Sequence, residues 1–350
     1  MIAVNPVLGR EVKERFRGVR GWVMLTAYLV LLAGVLFIGY QAVAGATDDA
    51  FSGVDATQIA RAGRTIFEVL VVFMLVLVLF LVPAMTAGAI AGERERQTLV
   101  PLQVTLVRPL SIMVGKLGAS LAFVGLLVVA SVPFLAVTYL VGGVTIGNVL
   151  VAVAMVLFSG VVVACIGTAC SAVFRRVQAA TVISYAIVLA ISAGSFVAYG
   201  AWLIIDQARG TDSVSRAPAE LLVFNPFALT ADAVTTEESA EAGPLSGLDR
   251  LILESRARDD LSEEFFGAER GVAFADGGEQ PVPIDGFGGD VDRPDEEPIG
   301  FDRFGNPIFP SDVPSPVPFW VESMMALAAV ALVSVLVGAR RLRTPAAVER

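Results

Sequence analysis

Five long stretches of this 350-residue chain contain no charged side chain, and they limit what it can fold into. They cover residues 21–47, 69–92, 117–174, 177–205 and 323–339. A helix that crosses about 30 Å of hydrocarbon needs about 20 mainly apolar residues. The stretch 117–174 is long enough for two such helices, and Gly142-Gly143 favours a turn between them. The sequence therefore predicts six transmembrane helices, near residues 22–44, 67–90, 118–141, 146–170, 179–205 and 318–339.

Composition excludes several classes of protein. The chain is 55% apolar and 17% charged, with a mean hydropathy of +0.73, which is too apolar for an ordinary soluble domain. It has no histidine, so Ser-His triads and histidine zinc sites are excluded. Two cysteines cannot form a disulfide framework or a four-cysteine metal site. The net charge of -9 argues against nucleic acid as a partner.

The basic residues predict the orientation in the membrane. With six spans, both termini lie on one side, and that side carries 15 of the 25 basic residues. The opposite short loops carry only Arg61 and Arg64, once the long segment 206–317 is set aside. Segments of that length cross the membrane largely regardless of their charge. We therefore expect both termini in the cytoplasm.

Segment 206–317, between the fifth and sixth helices, is expected outside the cell and only partly ordered. It holds 24 acidic residues, eight arginines and no lysine. Residues 221–234 are apolar enough to lie at the outer membrane interface. Apolar residues at helical spacing predict an amphipathic helix that carries Leu245, Leu248, Leu251 and Ile252, then Leu261 and Phe265. Residues 272–284 favour a hairpin, and Gly, Pro and Asp dominate from about residue 285.

The two ends of the chain, residues 1–21 and 340–350, are predicted to be cytoplasmic, and the membrane helices lie between them. Residues 1–21 favour an amphipathic helix in the membrane interface, because their apolar side chains share one face and their cations lie elsewhere. An ordinary basic flank of the first span is the alternative interpretation. Residues 22–205 hold the first five helices, 318–339 form the sixth, and 340–350 are a basic tail.

The loop 92–116 is more apolar than a water-exposed loop should be. Its charges lie mostly near its ends, and between them are six aliphatic residues, Leu99, Val100, Leu102, Val104, Leu106 and Val107. Such side chains are buried against the membrane, the helix bundle or a partner. The loop is therefore either a helix that lies on its own lipid or a docking helix for a cytoplasmic protein.

The motifs of this loop resemble those of a known family. Gly-Glu-Arg-x-x-x-Thr-Leu-x-x-Leu at residues 92–102 is followed by Arg-Pro-Leu-Ser at 108–111 and Gly-Lys at 115–116. This pattern resembles permease subunits of ABC-2 type transporters. Asn-Pro-Val-Leu-Gly-Arg-Glu at residues 5–11 is similar to the start of the subgroup associated with maturation of multi-copper enzymes.

The resemblance implies roles for particular residues. Residues 5–20 would be an elbow helix, which includes Asn5, Pro6, Arg10 and Glu11. Residues 93–110 would be a coupling helix in a groove of an ATP-binding subunit. The residues implied at or near that contact are Glu93, Arg94, Thr98, Leu99, Leu102, Pro109, Gly115 and Lys116, with Arg175 and Arg176 as a smaller second contact. Glu93 would be the polar contact, and Pro109 would end the coupling helix.

ATP hydrolysis is expected in a separate chain. Gly115-Lys116 is the nearest approach to a P-loop, but Leu117 stands where Ser or Thr would bind magnesium. We therefore expect ATP and magnesium on the partner subunit, and no cofactor, metal or catalytic residue in this chain. The resemblance also implies a second permease copy and the membrane of a prokaryote.

The predicted spans carry little polar chemistry. Glu68 and Glu322 lie at outer ends, so a proton relay or ion-coupled pump through the bilayer centre is not expected. Gly160, Ala164 and Thr168 form a row of small residues on the fourth helix. Such a row serves packing within one bundle or forms the seam between two permease copies.

The predicted fold is thus an all-α polytopic membrane protein with six spans, an elbow helix and an acidic outer segment. The predicted function is the permease subunit of an ABC-2 exporter. The alternative is a membrane anchor, or a subunit that transmits force to an extracytoplasmic protein partner without transporting a substrate.

Overall fold

The computed structural model of the chain describes residues 19–48, 56–97, 109–209, 219–235, 243–253, 255–256, 300–301, 307–308 and 318–342. Their helices are α1 (Val19–Asp48), α2 (Ala56–Thr86), α3 (Ala91–Glu95), α4 (Pro109–Val141), α5 (Ile146–Val173), α6 (Val177–Leu189), α7 (Ser195–Arg209), α8 (Pro226–Val234), α9 (244–253) and α10 (Phe319–Leu342). A π-helical turn, Ala190–Gly194, joins α6 to α7, and a 3-10 turn, Ala219–Leu222, precedes α8. Strands β1 (Gly300–Phe301) and β2 (Pro307–Ile308) pair antiparallel, with Gly300 opposite Ile308.

Six parts of the described chain are long and apolar enough to cross a membrane, as the sequence predicts. They are Gly21–Gln41, Thr57–Glu95, Met113–Val141, Ile146–Val173, Val177–Ile205 and Phe319–Leu342. The helix of the second span begins at Ala56, well before the predicted start at residue 67. Charged residues such as Arg61 and Arg64 mark the edge of the apolar stretch, but they do not end a helix. The predicted boundary was therefore that of the apolar stretch alone.

Helix α5 lies at the centre of the bundle and packs against α2, α4, α6, α8 and α10. Small residues permit this packing. A Cβ atom added at Gly167 would lie 1.9 Å from the Thr86 hydroxyl, and one at Gly160 would lie 2.5 Å from Val124. Close backbone approach at small residues is a main source of packing energy between helices in a membrane.

The bundle has two ends that carry different contacts. At one end, which we call the basal end, Ile90, Met113, Ala172 and Leu342 form an apolar cluster. At the other, the distal end, the turn between α4 and α5 lies against the start of α2. Pro83 lies inside α2 near its basal end, and the regular helix stops at Thr86.

The distal turn depends on glycine, and we expect Gly143→Ala to reduce the yield of folded protein strongly. Gly143 has a φ of +76°, and an added Cβ would lie 2.0 Å from the Ala60 carbonyl oxygen. Gly142→Ala is the matched control, because Gly142 also has a positive φ, +108°, but has open space around it. The measurement is the fraction of monodisperse protein after detergent extraction. Equal yields of the two variants would show that the contact with Ala60 is unimportant.

Helix α8 corrects the prediction that residues 221–234 lie at the outer membrane interface. Pro226, at its start, lines a small apolar cavity with Ser159 and Val162 of α5 and Leu327 of α10. Val234, at its end, lies at the distal end of the bundle, where its carbonyl oxygen contacts α2 and α5. The helix therefore runs from the interior of the bundle to its distal end and packs against α5 and α10, and we call it the plug helix. Hydropathy alone does not distinguish such a buried helix from one that lies in the interface.

Helix α9 agrees in part with the predicted amphipathic pattern. Leu245 and Ile252 are buried, but Leu251, which the pattern placed with them, is 45% exposed, and Leu261 and Phe265 lie outside the described residues. Four predicted parts lie outside the described residues, namely residues 1–18 of the elbow helix, the hairpin at 272–284, loop residues 98–108 and the tail beyond Leu342.

Candidate functional site

The candidate site begins with α3, the single helical turn that leads into the predicted coupling loop. Its N-terminus is held by Ser171 of α5, whose hydroxyl oxygen accepts from the backbone N–H groups of Ile90 and Ala91 at 2.8 and 2.9 Å. The first N–H groups of a helix have no partner within the helix, so this serine satisfies two of them. The contact joins the basal end of the second span to that of the fourth.

Glu93 of α3 forms an ion pair with Lys116 of α4. Lys116 Nζ lies 2.7 Å from Glu93 Oε1, and the lysine side chain is only 2% exposed. A buried ammonium group needs a nearby opposite charge, because removal from water costs several kcal/mol. Glu93 therefore ties the coupling loop to the third span. About a third of the Glu93 side chain, 30%, remains exposed on the basal surface.

The next two residues of α3 bind the loop between α5 and α6. The Arg94 guanidinium donates to the carbonyl oxygens of Ala172 and Phe174, both at 3.3 Å. Glu95 Oε1 accepts from the backbone N–H of Val177 at 2.8 Å. A cation at the C-terminus of α5 and an anion at the N-terminus of α6 each match the local helix dipole. Through these three neighbouring side chains, α3 contacts spans three, four and five.

A second polar cluster fixes the plug helix α8 and helix α9 at the distal end. Glu68 of α2 is fully buried. Its Oε1 accepts from Arg64 Nε at 3.0 Å, and its Oε2 accepts from the backbone N–H groups of Leu245 and Ser246 at 2.9 and 3.0 Å. Glu68 thus caps the first turn of α9, where a negative charge is favoured.

The last turn of α8 is capped by two donors from the spans. The Val234 carbonyl oxygen accepts from Arg64 at 3.3 Å and from the Asn148 side-chain amide at 2.9 Å. The last carbonyl groups of a helix have no partner within the helix. Because α2 and α5 supply the donors, the plug is fastened to the transmembrane bundle.

The start of α8 is fastened to the π-helical turn between α6 and α7. Asn225 is fully buried, and its Nδ2 donates to the Ser192 carbonyl oxygen at 3.0 Å and to the Ser195 hydroxyl oxygen at 2.7 Å. Its Oδ1 accepts from the Phe227 N–H at 2.8 Å, which caps α8. The buried amide of Asn225 therefore supplies a hydrogen bond to the π-helical turn, one to the first residue of α7 and one to the start of α8.

Two carboxyl groups meet near the C-terminal end of α8, outside the membrane-spanning segments. Asp232 of α8 accepts from the Trp320 N–H at 2.7 Å, which joins α8 to the start of α10. Asp249 of α9 accepts from the Thr235 hydroxyl and hydrogen-bonds to Asp232. Burial raises the pKa of Asp249 to about 6, and the charge of Asp232 acts in the same direction. Burial also raises the pKa of Asp232, against the lowering effect of the Trp320 N–H and Arg256.

Comparison with known proteins assigns the family. A family model described as ABC-2 family transporter protein matches residues 40–340, which is most of the chain. The chain belongs to the ABC-2 transporter family. It is a permease of an ABC transporter, and this membership implies embedding in the membrane and an ATP-binding partner. No curated protein matches the sequence.

The structure brings some of the predicted contact residues of the permease together. Glu93, Arg94 and Lys116 lie in the cluster around α3, whereas Thr98, Leu99 and Leu102 lie outside the described residues. Pro109 is the first residue of α4, a position where the missing N–H of proline costs nothing. Gly115 is buried in α4, and Lys116 lies within the span that begins at Met113. Arg175 and Arg176 are exposed on the loop before α6.

The row of small residues in the permease lies within the bundle. Gly160 faces Val78 and Val124, and Ala164 and Thr168 are fully buried. The Thr168 hydroxyl donates to the Ala164 carbonyl oxygen of its own helix at 2.9 Å. These faces are covered by other helices of the same chain.

Sequence analysis did not identify several residues of these clusters. Glu95 stands beside the predicted Glu93 and Arg94, but nothing in the sequence shows that it reaches the start of α6. Ser171 and Asn225 are single polar residues in apolar surroundings, which is the available signal for a buried hydrogen bond. Ser171 binds backbone N–H groups about 80 residues away, and Asn225 binds the Ser192 carbonyl and the Ser195 hydroxyl about 30 residues away. The sequence could not name these distant partners.

Proposed function

We propose that this permease is the membrane half of an ABC-2 exporter, in which a separate ATPase drives an unidentified substrate outward. The supporting observation is the arrangement of α3. Three consecutive charged side chains connect the coupling loop to three spans. A loop built only to join two helices does not need such connections.

In this proposal the basal end faces the cytoplasm, as does each terminus. The excess of basic residues in the short loops of that side supports this orientation. The ATPase holds ATP and magnesium, and residues 93–110 lie in a groove on its surface. Residues 1–21 lie in the membrane interface as an elbow helix, and segment 206–317 lies outside the cell.

Two further features belong to the proposal. The transporter contains two permease copies and two ATPases, in the cytoplasmic membrane of a prokaryote. Membership of the subgroup associated with maturation of multi-copper enzymes is also part of the proposal, and the similarity of residues 5–11 to that subgroup supports it.

Closure of the ATPases pushes α3 towards the membrane in this mechanism. Because α3 holds the basal ends of α4, α5 and α6, the push moves these helices relative to one another. The plug helix α8 blocks the distal end and has to shift before a substrate can leave. The permease itself contributes docking, transmission of movement and a closed outer end.

A second candidate function keeps the ATPase but has no transported substrate. The acidic segment 206–317 is 112 residues long, and α9 and α8 attach part of it firmly to the spans. In that case movement of α8 would act on an extracytoplasmic protein partner. Recovery of a substrate-stimulated ATPase activity would favour the exporter.

The docking interface predicts that Leu102→Asp abolishes recovery of the ATPase with the permease. A buried carboxylate in an apolar groove should cost at least about 1.4 kcal/mol, or tenfold in affinity. The measurement is the amount of ATPase that copurifies with tagged permease from its native host. Glu220→Ala is the control, since Glu220 is exposed on the turn before α8, at the other end of the bundle from α3.

The same measurement with Glu93→Ala tests the predicted polar contact. Loss of this carboxylate also leaves Lys116 buried without its counter-charge, so permease yield must be measured in parallel. Normal ATPase recovery with Leu102→Asp would contradict the docking role of the loop.

A further inference from the structure

The fifth span contacts α3, at the start of the coupling loop, and also contacts the plug helix α8. Its first half, α6, packs against α3, and the π-helical turn after it packs against α8. The movement that the proposed function requires must pass from one of these places to the other. The contacts at each end of α6 therefore determine whether this span can transmit movement from α3 to α8.

The basal contact is tight and polar. Val177, the first residue of α6, donates its N–H to Glu95 Oε1. Its side chain lies 3.6 Å from a Cβ built on Gly88 and 3.7 Å from one built on Gly92. Ala87, Ala91 and Ala180 are fully buried beside it. Phe174 and Val177 pack against these alanines, so α3 and the start of α6 are in close contact.

The interior contact lies at a local change of helix type. A π-helical turn leaves carbonyl groups out of the regular hydrogen-bond pattern, and such turns occur frequently at functional sites. Here the Ser192 carbonyl oxygen accepts from Asn225 Nδ2, and the same amide caps α8. A shift of the π-helical turn must therefore move or release the start of the plug.

We infer that Glu95 and Asn225 are positioning residues at the two ends of a link in which α6 carries movement of the coupling loop to the plug helix α8. This inference rests on the proposed function. Glu95 transmits through the Val177 N–H, and Asn225 transmits through Ser192 and Ser195. Asn225 lies in the interior of the bundle, away from residues 93–110, which the proposed function places against the ATPase. Glu95 lies within those residues, so ATPase recovery is measured for Glu95→Ala, and Val177→Pro, which leaves residues 93–110 unchanged, tests the hydrogen bond itself.

The donor at Val177 can be removed without breaking the helix. Val177→Pro eliminates the N–H at the first position of α6, where proline is well tolerated. The preceding residue, Arg176, has φ -106° and ψ 135°, which is the extended conformation that proline requires before it. Val177→Ala is the matched control, because it removes most of the side chain but keeps the N–H.

The plug offers a reporter for the movement. Ala231 of α8 is fully buried, so the thiol of an Ala231→Cys variant should react with a membrane-impermeant maleimide only when α8 shifts. Cys165 and Cys170 are buried, and labelling of the protein without the reporter corrects for them. The experiment uses the purified complex of full-length permease and its ATPase, with and without ATP.

In the complex that carries only the Ala231→Cys reporter, ATP should increase the labelling rate of the reporter thiol. Glu95→Ala and Val177→Pro, each added to the reporter, should reduce this increase by about threefold, since the hydrogen bond is solvent-exposed and is weaker than a buried charge-assisted one. The combination of both should lose no more than either alone, because both remove the same bond. Val177→Ala should respond like the reporter alone.

Asn225→Ser tests the interior contact. Serine is an equally good cap for α8, but it has no amide to donate to Ser192. We expect full ATPase recovery, continued ATP hydrolysis and a similarly reduced response of the reporter thiol.

The outcomes separate the inference from the proposed function. If no ATPase copurifies with the parent permease, the proposed function is wrong and the inference falls with it. If the ATPase copurifies but ATP does not change labelling of the reporter, or the variants respond like the reporter alone, only the inference is wrong. Equal losses in Val177→Ala and Val177→Pro would also overturn it, since packing and not the hydrogen bond would then be responsible.

Discussion

Replacement of Glu68 with alanine should destabilise the permease by about 3–5 kcal/mol, the usual cost of breaking a buried ion pair by removing one partner. Three groups lose their acceptor at once. Arg64 is left as a buried guanidinium without its counter-charge, and the N–H groups of Leu245 and Ser246 lose the carboxylate that caps α9. No water reaches Glu68 to replace it, because the residue is fully buried.

The measurement is the midpoint of thermal unfolding in detergent, together with the yield of monodisperse protein. Val69→Ala is the control, because Val69 is the next residue of α2 and is well exposed. A double variant with leucine at residues 64 and 68 should recover part of the loss, since it removes both buried charges. It should not recover all of it, because the α9 N–H groups still lack an acceptor. A midpoint for Glu68→Ala equal to that of Val69→Ala would show that Glu68 does not hold the distal end together.

The six spans were predictable because the hydrophobic effect acts on local composition. Stretches without charge are expensive to place in water, so their position in the sequence locates the membrane directly. The same local argument failed for residues 221–234. Helix α8 is apolar because it is buried among α5, the π-helical turn and α10, and its neighbours come from distant parts of the chain.

Glu68 illustrates a similar limit at the distal cluster. The sequence placed it at an outer end of a span, as an ordinary boundary residue. In the structure it is fully buried, because Arg64 lies one turn earlier on α2 and α9 folds over both. The Arg64–Glu68 spacing indicates a helical ion pair. Burial of that pair depends on a helix that begins 176 residues later.

The charged start of the coupling loop was predictable as a group, but its contacts were not. Glu93, Arg94 and Lys116 were named from the resemblance to a family, and the structure adds that Glu93 and Lys116 face each other. Arg94 and Glu95 bind backbone atoms. Any residue could supply the carbonyl groups that Arg94 binds, and any residue except proline could supply the N–H that Glu95 binds. A hydrogen bond to the backbone leaves no signature in the partner's side chain.

Asp249→Asn should stabilise the permease at pH 8 and have little effect near pH 4. Burial raises the pKa of Asp249 to about 6 from its ordinary value of 3.8, which the unfolded chain retains. The folded protein therefore binds more protons than the unfolded chain between about pH 4 and 6. The contribution of this group to stability is greatest below that range and is lost as the pH rises through 6.

Ionised Asp249 is unfavourable for two physical reasons. It is removed from water, and it faces the carboxyl group of Asp232, with Glu68 also near. Arg256 and the Trp320 N–H act on Asp232 and only partly offset this, and Glu322 opposes them. Asparagine is neutral at every pH, can still accept from Thr235 and can donate to Asp232.

The expected gain at pH 8 is on the order of 3 kcal/mol, since the pKa rises from 3.8 to about 6 and one pKa unit corresponds to about 1.4 kcal/mol. The unfolding midpoints of the parent and of Asp249→Asn should converge as the pH falls below 5 and diverge above 6. Glu220→Gln is the control for a change of net charge, because Glu220 is exposed. If Asp249→Asn were instead less stable at pH 8, ionised Asp249 would have to gain more from the Thr235 hydroxyl and nearby cations than burial costs it. In that case the ionised form of Asp249, and not the neutral form, would stabilise the distal end.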